Sequence, residues 1–176
     1  MKRTELKRKT PLRAKSPTAR RKDSSMRCSR VTERSDGSSS RCTKRGTVIV
    51  SAAERHCRAH GTAIADKLVG DFVRARDKRC QLAGINGKPC SDERLWWCHL
   101  LRKGTYPSTR WTPGNSVAGC AGHHLFLDNH QAEWLAYCIE RLGQESLDGL
   151  LGYALAGNGP SAAYVIRAFR EGNPNR

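Results

Sequence analysis

Long apolar runs are missing from this sequence. The longest, at residues 48–50 and 95–98, last a few positions, far short of the roughly 20 that cross a bilayer. No membrane-spanning segment is expected. The first nine residues are basic but lack the apolar stretch and small-residue cleavage site of a secretory leader, so a cytoplasmic chain is expected. Hydrophobic residues make up 38% and aromatics 6% of 176 positions, too little for all of the chain to be core. Acids are scarce as well, 16 against 32 Lys and Arg, for a formal net charge of +16.

That charge is uneven. Residues 1–50 carry sixteen Lys and Arg against four acids, whereas residues 51–176 carry sixteen against twelve. A concentrated cationic segment releases counterions when it meets a polyanion, so it binds nucleic acid without sequence preference and weakens steeply with salt. A solubilising tail is the plainer reading of the same composition. Eight cysteines in a chain expected in a reducing compartment point to metal ligation or free thiols rather than disulfides.

Residues 1–46 are rich in Lys, Arg, Ser and Thr and show no hydrophobic periodicity, which predicts a disordered basic tail. Residues 47–79 read as a helical lead-in. Ser51 and Glu54 have capping-box spacing, predicting a short helix to about His60, and Ile64, Leu68, Phe72 and Val73 predict a second one leading into Cys80. Between Cys80 and Val117, Gly and Pro break the chain into extended pieces and turns. Residues 94–99 read as one strand, and a second is expected near residues 115–118. A helix from about Ala121, bent near Asn129, runs to Leu142 with Gly143 as its stop. Residues 143–176 complete a helical extension, with helices near residues 144–155 and 161–171.

Cys120 and His123 lie three apart at a helix start and share a face, while His124 points about 100° away from His123. One segment can therefore serve two sites. Structural zinc takes four S or N ligands, usually as two pairs from separate segments. Cys80 and Cys90 offer the other pair if residues 81–89, with two glycines, loop back. The expected site is Cys80, Cys90, Cys120 and His123, with Cys98 as an alternative ligand. Buried thiols beside a surface histidine would be the plain alternative. Cys28, Cys42, Cys57 and Cys138 show no pairing, although Cys57 and His60 have ligand spacing and could form a second site with tail cysteines.

Taken together, Cys98-His99, Asn115 and Cys120-Ala-Gly-His123-His124 resemble the HNH, or ββα-metal, nuclease motif. Asn115 precedes Cys120 by five residues and His124 by nine, the register of that family. Arg110-Trp111-Thr-Pro-Gly-Asn115 and His130-Gln-Ala-Glu-Trp134 look like phage-encoded members, and recombination nucleases of the NinG and Rap type are similar. The motif covers residues 80–142. The resemblance implies an α+β fold: a small zinc-stapled ββα-metal core with flanking helices and a disordered basic tail.

What the resemblance implies for chemistry is a DNA endonuclease, acting in phage recombination or DNA processing within the host cytoplasm. His99 would activate water, as an imidazole near neutrality suits, with Asn115 orienting it. His124 would hold a catalytic divalent ion, Mg²⁺ or another, that stabilises the leaving oxygen. Asp128, one turn on, could be a second ligand. Arg102, Lys103 and Arg110 could clamp phosphates, or be solvated loop charges. Trp96, Trp97 and Trp111 fit base stacking, or core packing.

Two departures bear on activity. Cys98 stands where many members place Asp or His, and a thiolate suits Mg²⁺ poorly. His123 replaces a Cys, a mild change for zinc. A non-catalytic zinc-containing nucleic-acid-binding protein is the alternative. Substrate shape and oligomeric state, a homodimer included, stay open.

Overall fold

A computed structural model of the chain describes residues 27–33, 39–51, 54–91 and 94–172. The predicted tail lies outside them as far as residue 26. The fold is α+β, built among the described residues from small hairpins and five helices. Strands β1 (Val31–Glu33) and β2 (Ser39–Arg41) pair antiparallel, as do β3 (Val48–Ile49) and β4 (Arg55–His56). The first pair lies within the segment read from composition as disordered.

Ser51 and Glu54 do not start a helix. The Ser51 Oγ accepts the Glu54 N–H at 3.1 Å, and the Val50 N–H donates to the Glu54 carbonyl at 3.0 Å. The same local bond that caps a helix here closes the turn from β3 to β4. Helix α1 then runs as one piece, Arg58–Asp77. Ala65, Val69 and Val73 recur on its buried face, one turn apart, as a helix packed along one side requires. Gly61 lets it approach β3, since a Cβ there would meet the Val48 side chain at 2.8 Å. Lys78, in the left-handed region at φ 59°, ends it.

Strand β5 (Leu95–His99) pairs antiparallel with β6 (Ser116–Cys120), with His99 opposite Ser116 and Leu95 opposite Cys120. Helix α2 (Ala121–Asn129) follows at once. These elements match the expected strand, strand and helix. Next come α3 (Gln131–Leu142), α4 (Gln144–Ala156) and α5 (Ala162–Arg170). The bend expected near Asn129 is a break between α2 and α3 at His130.

The β5–β6 hairpin separates two cores. Ala118 joins Val50, α1 and α5 on one side, with Leu95, Trp97 and Trp111 packed against them. Cys98 and Val117 join Leu82, Leu100, Leu127, Cys138 and Leu147 on the other. All five residues of β6 are buried, so alternation of apolar and polar residues is not needed in this strand. Gly119 is one consequence, because a Cβ would stand 2.5 Å from Leu82 Cδ1 and 3.1 Å from Cys98 Sγ.

Asp77 and Arg76 lock α1 to this hairpin. The Asp77 carboxylate, almost fully buried, accepts the Ala118 N–H at 2.7 Å and the Arg76 Nε–H at 2.7 Å. Arg76 also donates to the Ser116 and Pro113 carbonyls. Burial works against ionisation of Asp77, but these donors outweigh it and hold the carboxyl below its ordinary range.

Candidate metal centres

Two clusters of three cysteines and one histidine are assembled, Cys80, Cys90, Cys120 and His123, and Cys28, Cys42, Cys57 and His60. Within each, the potential ligand atoms lie within 4.8 Å of one another. No cysteine is disulfide-bonded.

The first cluster is delivered by three local features. Lys78 ends α1 and releases Cys80; positive φ at Gly84 (88°) and Gly87 (67°) turns the intervening loop, which returns Cys90; and Cys120 is the N-cap of α2 with His123 in its first turn. His123 Nδ1 lies 3.1 Å from Cys120 Sγ and 3.7 Å from Cys80 Sγ. The edge of a zinc tetrahedron with S and N ligands is about 3.5 to 3.8 Å, so the donors stand at metal-binding separation. His123 Nε2 lies 3.1 Å from Asn86 Oδ1 and 3.2 Å from the Lys88 carbonyl oxygen. Two acceptors there assign the ring proton to Nε2 and leave the Nδ1 lone pair facing the thiols, the usual outer support of a metal-bound imidazole. Burial disfavours the Cys120 thiolate, yet backbone N–H groups of His123 and Ser91 outweigh it and bring the thiol down to about 6. Cys80 moves the other way, to about 11, through burial. Zinc bound here would hold both as thiolates.

The second cluster recruits three cysteines read as unpaired from sequence. Cys28 Sγ is 3.2 Å from His60 Nδ1, and Cys42 Sγ is 3.9 Å from Cys57 Sγ. The Cys57-x-x-His60 spacing was the available signal. The partners 15 and 29 residues upstream of Cys57 gave none, because two hairpins fold between them.

The other predicted residues fall into two groups. His99, 9% exposed, lies with its ring centroid 4.2 Å from that of Trp97 and donates its Nε2 hydrogen to the Arg110 carbonyl at 3.0 Å. Burial drives its pKa down to about 4, so the ring is neutral at pH 7. Arg110 grips Asp66 through two nitrogens at 2.8 and 2.6 Å, and the Trp111 Nε1–H donates to the same carboxylate. Arg110 and Trp111 thus fasten a loop to α1. Lys103 Nζ lies 5.9 Å from the Trp97 ring centroid.

His124 and Asp128 form the second group. His124 Nδ1 is 3.5 Å from Asp128 Oδ2, and Arg102 lies 3.5 Å from Asp128 Oδ1 while donating to the Asp128 carbonyl at 2.9 Å. Both side chains are partly exposed. Asn115 is fully buried and laces the intervening loop: its Oδ1 accepts the Leu101 N–H at 2.7 Å, and its Nδ2 donates to Leu101 and Thr109. These bonds hold the chain just after His99.

Cys98 is not a member of either cluster. Its Sγ faces Leu82 and Gly119, it donates to the Trp96 carbonyl, and burial pushes the thiol up to about 12. His130 stacks on Phe126 with centroids 3.9 Å apart, a packing role. A cleft of 640 Å³ lined by Trp111, Pro113, Tyr153, Tyr164 and Phe169 contains none of the predicted catalytic residues. Among the described residues no helix is long and apolar enough to cross a membrane.

Comparison with protein-family models, curated proteins and solved structures gave no match. The chemistry of these centres therefore rests on their own residues.

Proposed function

We infer that the chain is a zinc-stapled nucleic-acid-binding protein. The observation that carries this reading is the pair of Cys₃His clusters in a chain of net charge +16. Donor sets of soft sulfur and imidazole fit zinc and fit Mg²⁺ poorly, so they support a bracing role. Positive charge supplies affinity for phosphate. DNA is the expected partner, and counterion release makes the logarithm of the binding constant fall linearly with the logarithm of salt concentration. Titration of a labelled DNA duplex at several salt concentrations tests this. Absence of binding at low salt, or binding indifferent to salt, would sink it.

A second reading, HNH-type endonuclease, is favoured by the His124–Asp128 pair on α2. An imidazole and a carboxylate one turn apart, partly exposed beside Arg102, offer a divalent cation N and O ligands next to a phosphate-binding guanidinium. In this reading His99 Nδ1 would act as the base, and the reaction would serve phage DNA recombination or processing. The buried His99 ring and buried Cys98 thiol weigh against it. Plasmid cleavage with Mg²⁺ or Mn²⁺ separates the two: cleavage abolished by Asp128→Ala and His124→Ala with DNA binding retained supports the nuclease, and no cleavage by the unaltered chain leaves the binding protein.

A further inference from the structure

Among the described residues β1 and β2 place no side chain in either hydrophobic core, whereas the β3–β4 segment reaches one through Val48 and Val50. The strands of residues 27–56 are two or three residues long, Val31 and Ile49 are nearly half exposed, and isolated hairpins of this size are marginal in water. Yet their backbone is interlocked. The Cys28 N–H donates to the Lys44 carbonyl at 3.1 Å, the Cys42 N–H to Arg30 at 2.9 Å, and the Ser29 N–H to Arg55 at 2.6 Å.

The four donors of the second cluster sit where this segment must be tied down. Cys28 stands before β1, Cys42 follows β2, Cys57 is the N-cap of α1 and His60 lies in its first turn. Cys28 and Cys57 are each 3% exposed. Three thiols converging on an imidazole, none of them disulfide-bonded, are explained by a cation at their centre better than by apolar packing, which gains nothing from a ring nitrogen. Arg27, Arg30, Arg41, Lys44 and Arg58, in this segment and at the start of α1, are all exposed.

We propose that Cys28, Cys42, Cys57 and His60 form a second zinc site that loads independently of the Cys80 cluster and folds residues 27–56 into a basic, phosphate-gripping module. The gripping role rests on the nucleic-acid reading above; the metal site does not. Because an unfolded segment rarely presents a preformed site, metal binding and folding of the module are one event.

The test uses the full chain and its Cys42→Ser and Cys28→Ser variants, each read by zinc content, limited proteolysis and salt-dependent duplex binding. The full chain should hold two zinc ions. Each variant should hold one, be cut within residues 27–56 while residues 80–142 stay protected, and show a salt slope shallower by about 2 to 4, the value of two to four lost phosphate contacts on B-form DNA. Two ions retained in both variants would overturn the site, and loss of both ions would overturn independent loading. One ion lost with the slope unchanged would overturn the gripping role. If neither form binds DNA while the zinc counts hold, the nucleic-acid reading falls and the metal site stands.

Discussion

His99 donates its Nε2 hydrogen to the Arg110 carbonyl at 3.0 Å, while the Arg110 side chain grips Asp66 on α1. A neutral ring is thereby built into the junction of β5, the following loop and α1. Its pKa is down to about 4, with burial the leading cause. In the unfolded chain the ring titrates at about 6.5. Between these values the unfolded state binds the extra proton, so stability is full above about pH 6.5 and declines as pH falls toward 4. The urea midpoint should drop across that window, and the drop should be smaller in His99→Gln. A ring that titrates near 6.5 by NMR in the folded protein would contradict the burial.

Asn86 supports His123 from outside the cluster. Asn86→Ala removes one acceptor from Nε2 and loosens the ring orientation, so zinc affinity should fall by about 10- to 100-fold. Competition with a chromogenic chelator measures it. The Cys80 cluster alone should respond, and unchanged affinity would mean that the Lys88 carbonyl suffices.

Gly119→Ala places a methyl against Leu82 and Cys98. Overpacking of this kind costs about 1 to 3 kcal/mol. Combining it with Leu82→Ala should give a loss smaller than the sum of the two, because the second change opens the space the first needs. Additive losses in denaturant unfolding would place the strain elsewhere.

Glu54 pairs with Arg170 of α5 and with His56. The guanidinium is the main reason its carboxyl is held at about 2. The pairing therefore contributes above the ordinary carboxylate pKa and is lost as pH falls from about 4.5 toward 2. Arg170→Gln should raise the Glu54 pKa and flatten the acid limb of a stability-versus-pH curve. Both groups are partly exposed, so salt should weaken the effect.

The β5–β6–α2 segment was legible because its signals are local: strand, turn and helix-start residues lie within a few positions of one another, and the Cys120-x-x-His123 pair shares one turn. Cys80 and Cys90 were legible because two glycines announce a returning loop. Residues 27–46 were not. There Cys28 and Cys42 meet Cys57 and His60 through long-range contacts that composition does not record. Ser51 and Glu54 misled for a different reason: a serine hydroxyl taking an N–H three residues on serves a hairpin turn as well as a helix. His99 ends β5 and Asn115 stands just before β6, but their burial depends on Arg110, Trp97 and Thr109, contributed by separate stretches.

Because β6 is enclosed on both sides, the chain has a party wall. Neither compartment can be opened by itself without stripping a face of the strand that the other leans on, so thermal or chemical loosening should reach both together. The amide hydrogens of residues 116–120 ought to be among the slowest in the protein to exchange with heavy water, and their release should coincide with global unfolding.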